Sequence, residues 1–217
     1  MFINLHTHHP SDSNTQYAIV NCAVNTPSRQ LPALYSAGLH PWYINNNSID
    51  ELDKLRQLFL KRRPTAIGEC GLDKLKGPDL KLQTEIFNAH IKLSEELEIP
   101  IIIHCLKAYS EIIKLKKDTA AKQVWIFHGF NASKETAEQA LKHGFYFSFS
   151  QSLLNEQSKA SKVLPFIPTD RLFLETDDNP QLSIQSIYQK ASQLLNIDNT
   201  QLQVIIKNNF KYLFNVD

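Results

Sequence analysis

Apolar positions along the chain fall into short continuous runs that alternate with stretches of helical period. The segments Phe2–His6, Tyr17–Cys22, Leu34–His40, Thr65–Cys70, Pro100–His104, Val124–His128, Phe145–Phe149 and Arg171–Thr176 read as strands. Several are apolar at consecutive positions, as in Ile101-Ile102-Ile103 and Tyr146-Phe147, which suits strands covered on both faces in a parallel sheet.

Helical patterns fill the later gaps. Ser48 followed by Glu51 has the form of a capping box, so a helix is expected from Ser48 as N-cap, with Ile49, Leu52, Leu55 and Phe59 on one face and Pro64 closing it. Leu80–Leu97 repeats the period through Ile86, Phe87, Ile91 and Leu97, and Pro100 stops it. Ser133 caps a helix running to Lys142, where Gly144 supplies the end. Ser183–Asn196 and Thr200–Phe214 are the last two helices.

This alternation predicts an α/β fold, and its eight strands predict a TIM-type parallel β/α barrel that forms a single domain over residues 1–217. One region departs from the pattern. Ten residues separate His6 from Tyr17 and eleven separate Cys22 from Leu34, whereas a parallel crossover takes a dozen or more. Both segments hold Pro10, Ser11, Ser13 and Asn14, or Pro27, Ser28 and Pro32, rather than helix formers. The first two crossover helices are therefore expected to be shortened or missing, with Tyr17–Cys22 an irregular or edge strand.

Composition narrows the function. At 42% apolar and 21% charged, the 217 residues exclude a chain disordered over most of its length. The formal charge of +1 offers no global attraction to a polyanion, so local lysines and bound cations would have to supply it. No run approaches the length of a membrane span, and Met1–His6 lacks the basic and long apolar regions of a secretory signal. Cys22, Cys70 and Cys105 are odd in number and have no CxxC spacing, so they read as reduced thiols and small packing residues of a cytoplasmic protein. No membrane association and no obligate protein partner is expected.

The candidate chemistry lies at the strand ends. His6 and His8 end the first strand, His40 the third, Glu69 the fourth, His104 the fifth and His128 the sixth, while Asp177 follows the eighth. In a parallel barrel these ends open on one face, where barrel enzymes carry their active sites. His-x-His on a strand places both imidazoles on the same side. Glu69 is a carboxylate in the otherwise apolar Thr65–Glu69, and a cation would remove the cost of burying it. The set His6, His8, Glu69, His104, His128 and Asp177 predicts a metal-dependent hydrolase. Imidazoles suit Zn, Fe or Mn, and the two carboxylates leave room for Mg. His90 and His143 fall within helices and read as structural or exposed, and His9 points away from the clamp if its strand continues. Lys74, Lys76 and Lys107 follow strands four and five, either to steer a phosphate or as solvated charges. Trp42 and Tyr43 follow His40, either to stack on a base or to pack their loop.

The pieces Leu5-His6-Thr7-His8, Gly38-Leu39-His40-Pro41, Ala66-Ile67-Gly68-Glu69-Cys70-Gly71-Leu72-Asp73, the helix with Gln83 and Phe87, Ile103-His104, Phe127-His128-Gly129-Phe130, Leu174-Glu175-Thr176-Asp177 and the tail Asn208–Phe214 resemble, in this order, the TatD family of metal-dependent deoxyribonucleases. The resemblance implies a TIM-type barrel in which His6, His8, Glu69 and Asp177 hold one metal. It implies that Glu69 bridges to a second, completed by His104 and His128, and that His40 contacts a substrate phosphate. Asp177 and Glu69 would then be catalytic, with Asp177 accepting the proton of the attacking water. Three positions depart from the family pattern. The stretch between His8 and His40 is short. Leu106 stands where many members carry arginine, with Lys107 beside it as a point charge instead of a fork. His128-Gly129-Phe130-Asn131-Ala132 replaces the usual His-Cys-Phe-Ser-Gly. All three touch the substrate rim. The implied reaction is hydrolysis of DNA phosphodiesters by a two-metal-activated water, with Lys107 and Lys74 as further phosphate contacts. The alternatives are a superfamily hydrolase of a small phosphoester, amide or lactone, or a non-catalytic metal- or nucleic-acid-binding protein. The last would lose a ligand or the base, and none is lost.

Overall fold

The computed structural model describes residues 1–10 and 16–216. All eight expected strands are present among them: β1 (Phe2–Thr7), β2 (Gln16–Cys22), β3 (Tyr35–Ala37), β4 (Ala66–Asp73), β5 (Ile101–Leu106), β6 (Trp125–Phe127), β7 (Tyr146–Phe149) and β8 (Leu172–Leu174). The helices are α1 (Ser48–Lys61), α2 (Leu80–Leu97), α3 (Tyr109–Thr119), α4 (Lys134–Lys142), α5 (Lys159–Val163), α6 (Ile184–Leu195) and α7 (Asn199–Phe214). The chain divides into two compact units, residues 20–126 and residues 1–19 with 127–217.

In the unit of residues 20–126 the strands pair in parallel and in chain order, with Val20 opposite Tyr35, Ser36 opposite Ala66 and Ile67 opposite Ile101. The amide of Ile101 donates to the carbonyl of Val124, which brings in the start of β6. Tyr35, Ile67, Ile101, Ile103 and Trp125 are fully buried, and the Phe87 ring meets Trp125 edge-on at 5.4 Å, a favourable aromatic geometry. The second crossover is a single 3-10 turn at Ser28–Gln30, so its helix is missing as expected. The expectation for the first crossover falls on residues 11–15, outside the described residues. Tyr17–Cys22 lies within β2, and its part Val20–Cys22 pairs with β3 in regular register.

Two local expectations are corrected. Ser48 is the first residue of α1 and not its N-cap. Asn47 occupies the cap without a side-chain bond, because the Ser48 hydroxyl accepts from the amide of Asn45. Ile49 stands 51% exposed while Leu55 and Phe59 are buried, so the packed face of α1 begins one turn later. The pattern also does not assign α3, whose only buried residues are Ile112 and Ile113 among lysines. By contrast α2 has the bounds expected of it, with Asp79 capping through the Leu82 amide.

In the other unit β7 and β8 pair in parallel, Phe147 opposite Leu172, and Thr7 bridges in parallel to Asp177. The core is aromatic: Phe127 stacks on Phe145 at 4.7 Å, and Phe147, Phe173, Tyr188 and Phe210 are buried. Two buried polar groups tie helices to the strands that carry the chemistry. The Tyr188 hydroxyl of α6 donates to the Ile3 carbonyl at 3.0 Å and accepts from the Ile3 amide at 3.1 Å. Asn209 of α7 donates to the carbonyls of Thr169 and Leu172 at 2.7 and 3.0 Å. Among the described residues no helix is long and apolar enough to cross a membrane.

Candidate metal centre

Each unit gathers part of the expected ligand set at its strand ends. In the unit containing β1 and β8, the amide of Asp177 donates to the His6 carbonyl and the amide of His8 donates to the Asp177 carbonyl, both at 3.1 Å. Asn4 locks the same junction: its Nδ2 donates to Thr176 Oγ1 at 2.9 Å and its Oδ1 accepts from the Thr176 amide at 3.1 Å. Asp177 itself takes a left-handed backbone, φ 57°, at the end of this clasp. Its Oδ1 then stands 3.6 Å from His6 Nε2 and 3.8 Å from His8 Nε2. Those separations are too long for hydrogen bonds. They match two donors each about 2.1 Å from one shared cation in tetrahedral geometry, which stand roughly 3.5 Å apart. The donor atoms therefore fit a metal ion.

His128 belongs to the same unit, its ring 4.6 Å from that of His6. Behind it sits Glu175, fully buried, whose Oε1 accepts from the Gly129 amide at 2.7 Å and lies 3.2 Å from His128 Nδ1. The contact favours a proton on Nδ1 and turns Nε2 to a ligand role.

In the unit of residues 20–126 the centre is Glu69, buried at a break in the β4–β5 ladder. The register is Ile67 opposite Ile101, then Cys70 opposite Ile103, so Glu69 lies in a bulge. Two glycines permit it. Gly68 has φ 140° and Gly71 φ 147°, and a Cβ would lie 2.4 Å from the Ile102 carbonyl oxygen at the first and 2.1 Å from that of His104 at the second. Asn21 completes the hold by accepting from the Glu69 amide at 2.9 Å. Glu69 Oε1 lies 2.8 Å from His104 Nδ1 and 3.1 Å from His40 Nε2, and these three residues offer donor atoms close enough for one ion.

Asp73, which the strand-end pattern does not single out, organises this cluster. It is buried, and its Oδ2 accepts from Trp42 Nε1 at 2.5 Å while lying 3.1 Å from His104 Nε2. Its Oδ1 accepts from the amides of Leu75 and Lys76 at 2.7 and 3.0 Å. Burial raises the Asp73 pKa, but the bonds from Trp42, Leu75, His104 and Lys76 outweigh it and hold the carboxyl below its ordinary range. Indole N–H can only donate, so Oδ2 is an acceptor and His104 Nε2 carries the proton. His104 Nδ1 faces Glu69 Oε1 at 2.8 Å, a separation that a shared proton or a cation between them would fill. Gln83 of α2 pins the strand end, with Oε1 accepting from the Asp73 amide at 2.8 Å and Nε2 donating to the Asp73 carbonyl at 2.9 Å. The signal that picked out Glu69, an acid in an apolar strand, also marks Asp73 and Glu175. Asn4 and Asn21 carry no such signal.

The remaining candidates separate clearly. Lys74 is paired with Glu111 at 2.5 Å, and Lys76 lies over the Trp42 ring at 3.5 Å. Lys107 is exposed on a left-handed residue, φ 58°. His90 is buried and structural: its Nδ1 donates to the Ile86 carbonyl at 2.8 Å and its Nε2 accepts from the Leu39 amide at 3.0 Å, next to His40. His143 caps the C-terminus of α4. His9 is exposed and bonds through Nε2 to the Asp178 carbonyl at 3.0 Å. Cys70 and Cys105 are buried packing residues whose thiols burial pushes up.

The profile of the family described as TatD related DNase matches residues 11–215. The chain belongs to the TatD family. A relative named uncharacterized metal-dependent hydrolase in Buchnera aphidicola subsp. Baizongia pistaciae is 37% identical over 153 residues, 69% of this TatD chain and 57% of its own length. The 3'-5' ssDNA/RNA exonuclease TatD of Erwinia tasmaniensis is 32% identical over 146 residues, 65% of this chain and 56% of its own length. The chain thus spans a little over half the length of these curated relatives. Among solved structures, the TatD homolog YJJV of Escherichia coli K12 matches with a TM-score of 0.86 at 24% identity, covering 100% of this chain and 98% of its own. A TatD family hydrolase of Entamoeba histolytica matches with a TM-score of 0.78 at 17% identity, covering 98% and 97%. These likenesses show the fold expected from the sequence, an α/β barrel of eight parallel strands.

Proposed function

We propose that this TatD family chain is a metal-dependent hydrolase that cleaves phosphodiester bonds of DNA. The observation that carries the reading is the spacing of donor atoms within each unit: Asp177 Oδ1 at 3.6 and 3.8 Å from His6 and His8, and Glu69 Oε1 at 2.8 Å from the Nδ1 of His104. Two relatives support the chemistry by name, one a metal-dependent hydrolase and one an ssDNA/RNA exonuclease.

In this reading His6, His8, Glu69 and Asp177 hold one divalent ion, and Glu69, His104 and His128 hold a second. The ions, Zn, Mn or Mg, supply Lewis-acid chemistry when bound: they acidify water and neutralise charge on a phosphoryl oxygen. The chain's own residues do the rest. Asp177 accepts the proton of the attacking water. His40, held by the Trp42 amide donating to its Nδ1 at 3.2 Å, contacts a phosphate oxygen. Lys107, exposed just after β5, contacts the substrate, whereas Lys74 would have to leave Glu111.

The test is hydrolysis of single-stranded DNA and of a generic phosphodiester in the presence of Zn, Mn or Mg, with Glu69→Ala and Asp177→Ala as controls. Metal-dependent cleavage by the wild type that both variants lose by at least about a thousandfold is the expected result. Cleavage of a lactone or amide but of no phosphodiester, or equal rates in wild type and variants, would overturn it.

A further inference from the structure

The two aromatic residues after His40 are chemically alike in sequence and opposite in structure. Trp42 is spent internally. Its Nε1 bonds Asp73, Lys76 covers its ring at 3.5 Å, and its ring meets His40 and His104 at 4.7 and 5.7 Å. Tyr43, by contrast, is 72% exposed. It is nevertheless held firmly. Its amide donates to the His40 carbonyl at 3.0 Å, its carbonyl accepts from Asn45 Nδ2 at 3.0 Å, and the next residue, Ile44, is buried in a cluster with Leu39 and Ile86. The backbone is thus fixed on both sides while the ring projects outward, its centroid 5.7 Å from that of His40 and tilted by 50°.

We propose that Tyr43 is a nucleobase-stacking residue. This inference rests on the reading of the chain as a phosphodiesterase of nucleic acid. His40 is the phosphate contact in that reading, and in a nucleotide strand each phosphate has a base one sugar away. An exposed, anchored aromatic ring one ring's distance from the phosphate contact is placed to take that base face to face. The Lys76 ammonium above Trp42 adds a positive charge beside the same turn. Stacking needs an unpaired base and is tolerant of its identity, because every base presents a π-face. Tyr43 therefore favours a strand end or single strand without reading sequence.

The test uses the full chain, without metal for binding and with metal for cleavage. An oligonucleotide carrying 2-aminopurine at successive positions is titrated with wild type, Tyr43→Ala and Tyr43→Phe in EDTA. One position should lose emission with wild type and Tyr43→Phe but not with Tyr43→Ala, and Tyr43→Ala should bind about tenfold more weakly. With metal, Tyr43→Ala should raise KM by a similar factor with kcat nearly intact. Removing the base at the quenched position should impose the same penalty on wild type, and the two penalties should not add. Equal quenching and affinity in all three proteins would overturn the proposal, as would penalties that add. The two readings fail separately. Wild type that binds and quenches but cleaves no strand sinks the nuclease reading alone, normal cleavage indifferent to Tyr43→Ala sinks the stacking role alone, and an absence of both binding and cleavage sinks both.

Discussion

Asp73 Oδ2 lies 3.1 Å from His104 Nε2 and at the same time accepts the indole N–H of Trp42 at 2.5 Å. Because the indole can only donate, this pair sets which nitrogen of His104 offers a lone pair towards Glu69. A buried carboxylate behind a ligand imidazole both orients the ring and raises its basicity. Asp73→Asn should therefore weaken metal binding by about 10–100-fold while the protein stays folded. Trp42→Phe, which leaves the carboxylate in place, should have a smaller effect. Competition against a chelator of known affinity measures both, and unchanged affinity in Asp73→Asn would remove the residue from the centre.

The same two residues show how far the sequence could be read. His104 is legible as an imidazole ending an apolar run, and the run itself marks β5 because a strand covered on both faces is mostly apolar along its length. Asp73 ends β4 just as Glu69 interrupts it, and the cost of burying a carboxylate applies to both, but the strand expected to end at Cys70 leaves Asp73 outside it, and only contacts across the fold separate a ligand from the group that orients one. Asn4 and Asn21 were not legible at all, since an amide that clasps a neighbouring strand looks like any polar residue until that neighbour is known. The start of α1 differs from the expected one for a related reason: Asn47 and Ser48 both suit a cap, and the Asn45 amide decides between them by taking the Ser48 hydroxyl. For α3, the lysines that cover its outer face left only Ile112 and Ile113 to mark an inner one.

Gly71 is the clearest backbone requirement near Glu69. Its φ of 147° and the 2.1 Å approach of a would-be Cβ to the His104 carbonyl oxygen leave no room for a side chain. Gly71→Ala must shift β4 against β5 or distort the bulge that aims Glu69. The expected cost is about 3 kcal/mol, a fall of roughly 6–12 °C in Tm for a domain of this size. Calorimetry on metal-free protein isolates the backbone effect, and a Tm within a degree or two of wild type would show that the ladder relaxes freely.

Glu175 stands to His128 as Asp73 stands to His104, with Oε1 3.2 Å from Nδ1 and 2.7 Å from the Gly129 amide. Its Oε2 is buried and without a hydrogen-bond partner among the described residues, so the side chain is held by its task and not by a broad polar network. Glu175→Gln keeps the shape but removes the charge that favours the protonated Nδ1. If His128 serves the second ion, metal counting on dialysed protein should fall from two ions per chain towards one, while Asp73→Asn should perturb the same ion through His104. Two ions retained in Glu175→Gln would separate His128 from the second site.

Stability should depend on pH through a residue outside the ligand set. Burial pushes the His90 pKa down from its ordinary 6.5 to about 4, against a smaller opposing effect from its bond to the Ile86 carbonyl. The folded state therefore refuses a proton that the unfolded chain accepts between those values. The sign follows: above about 6.5 the neutral ring is retained in both states and its stabilising bonds are intact, whereas below it the unfolded state gains protons and the fold is progressively disfavoured until about pH 4. A shift of this size corresponds to about 3 kcal/mol across the window. Denaturant unfolding of metal-free protein at pH 7 and pH 4.5 should show much of that loss. In His90→Gln the step should shrink, because glutamine can accept from the Leu39 amide without titrating, although the variant starts from a lower stability. Since Leu39 immediately precedes His40, protonation of His90 would also free the turn that carries His40 and Trp42. An unchanged pH profile in His90→Gln would assign the acid sensitivity to other groups.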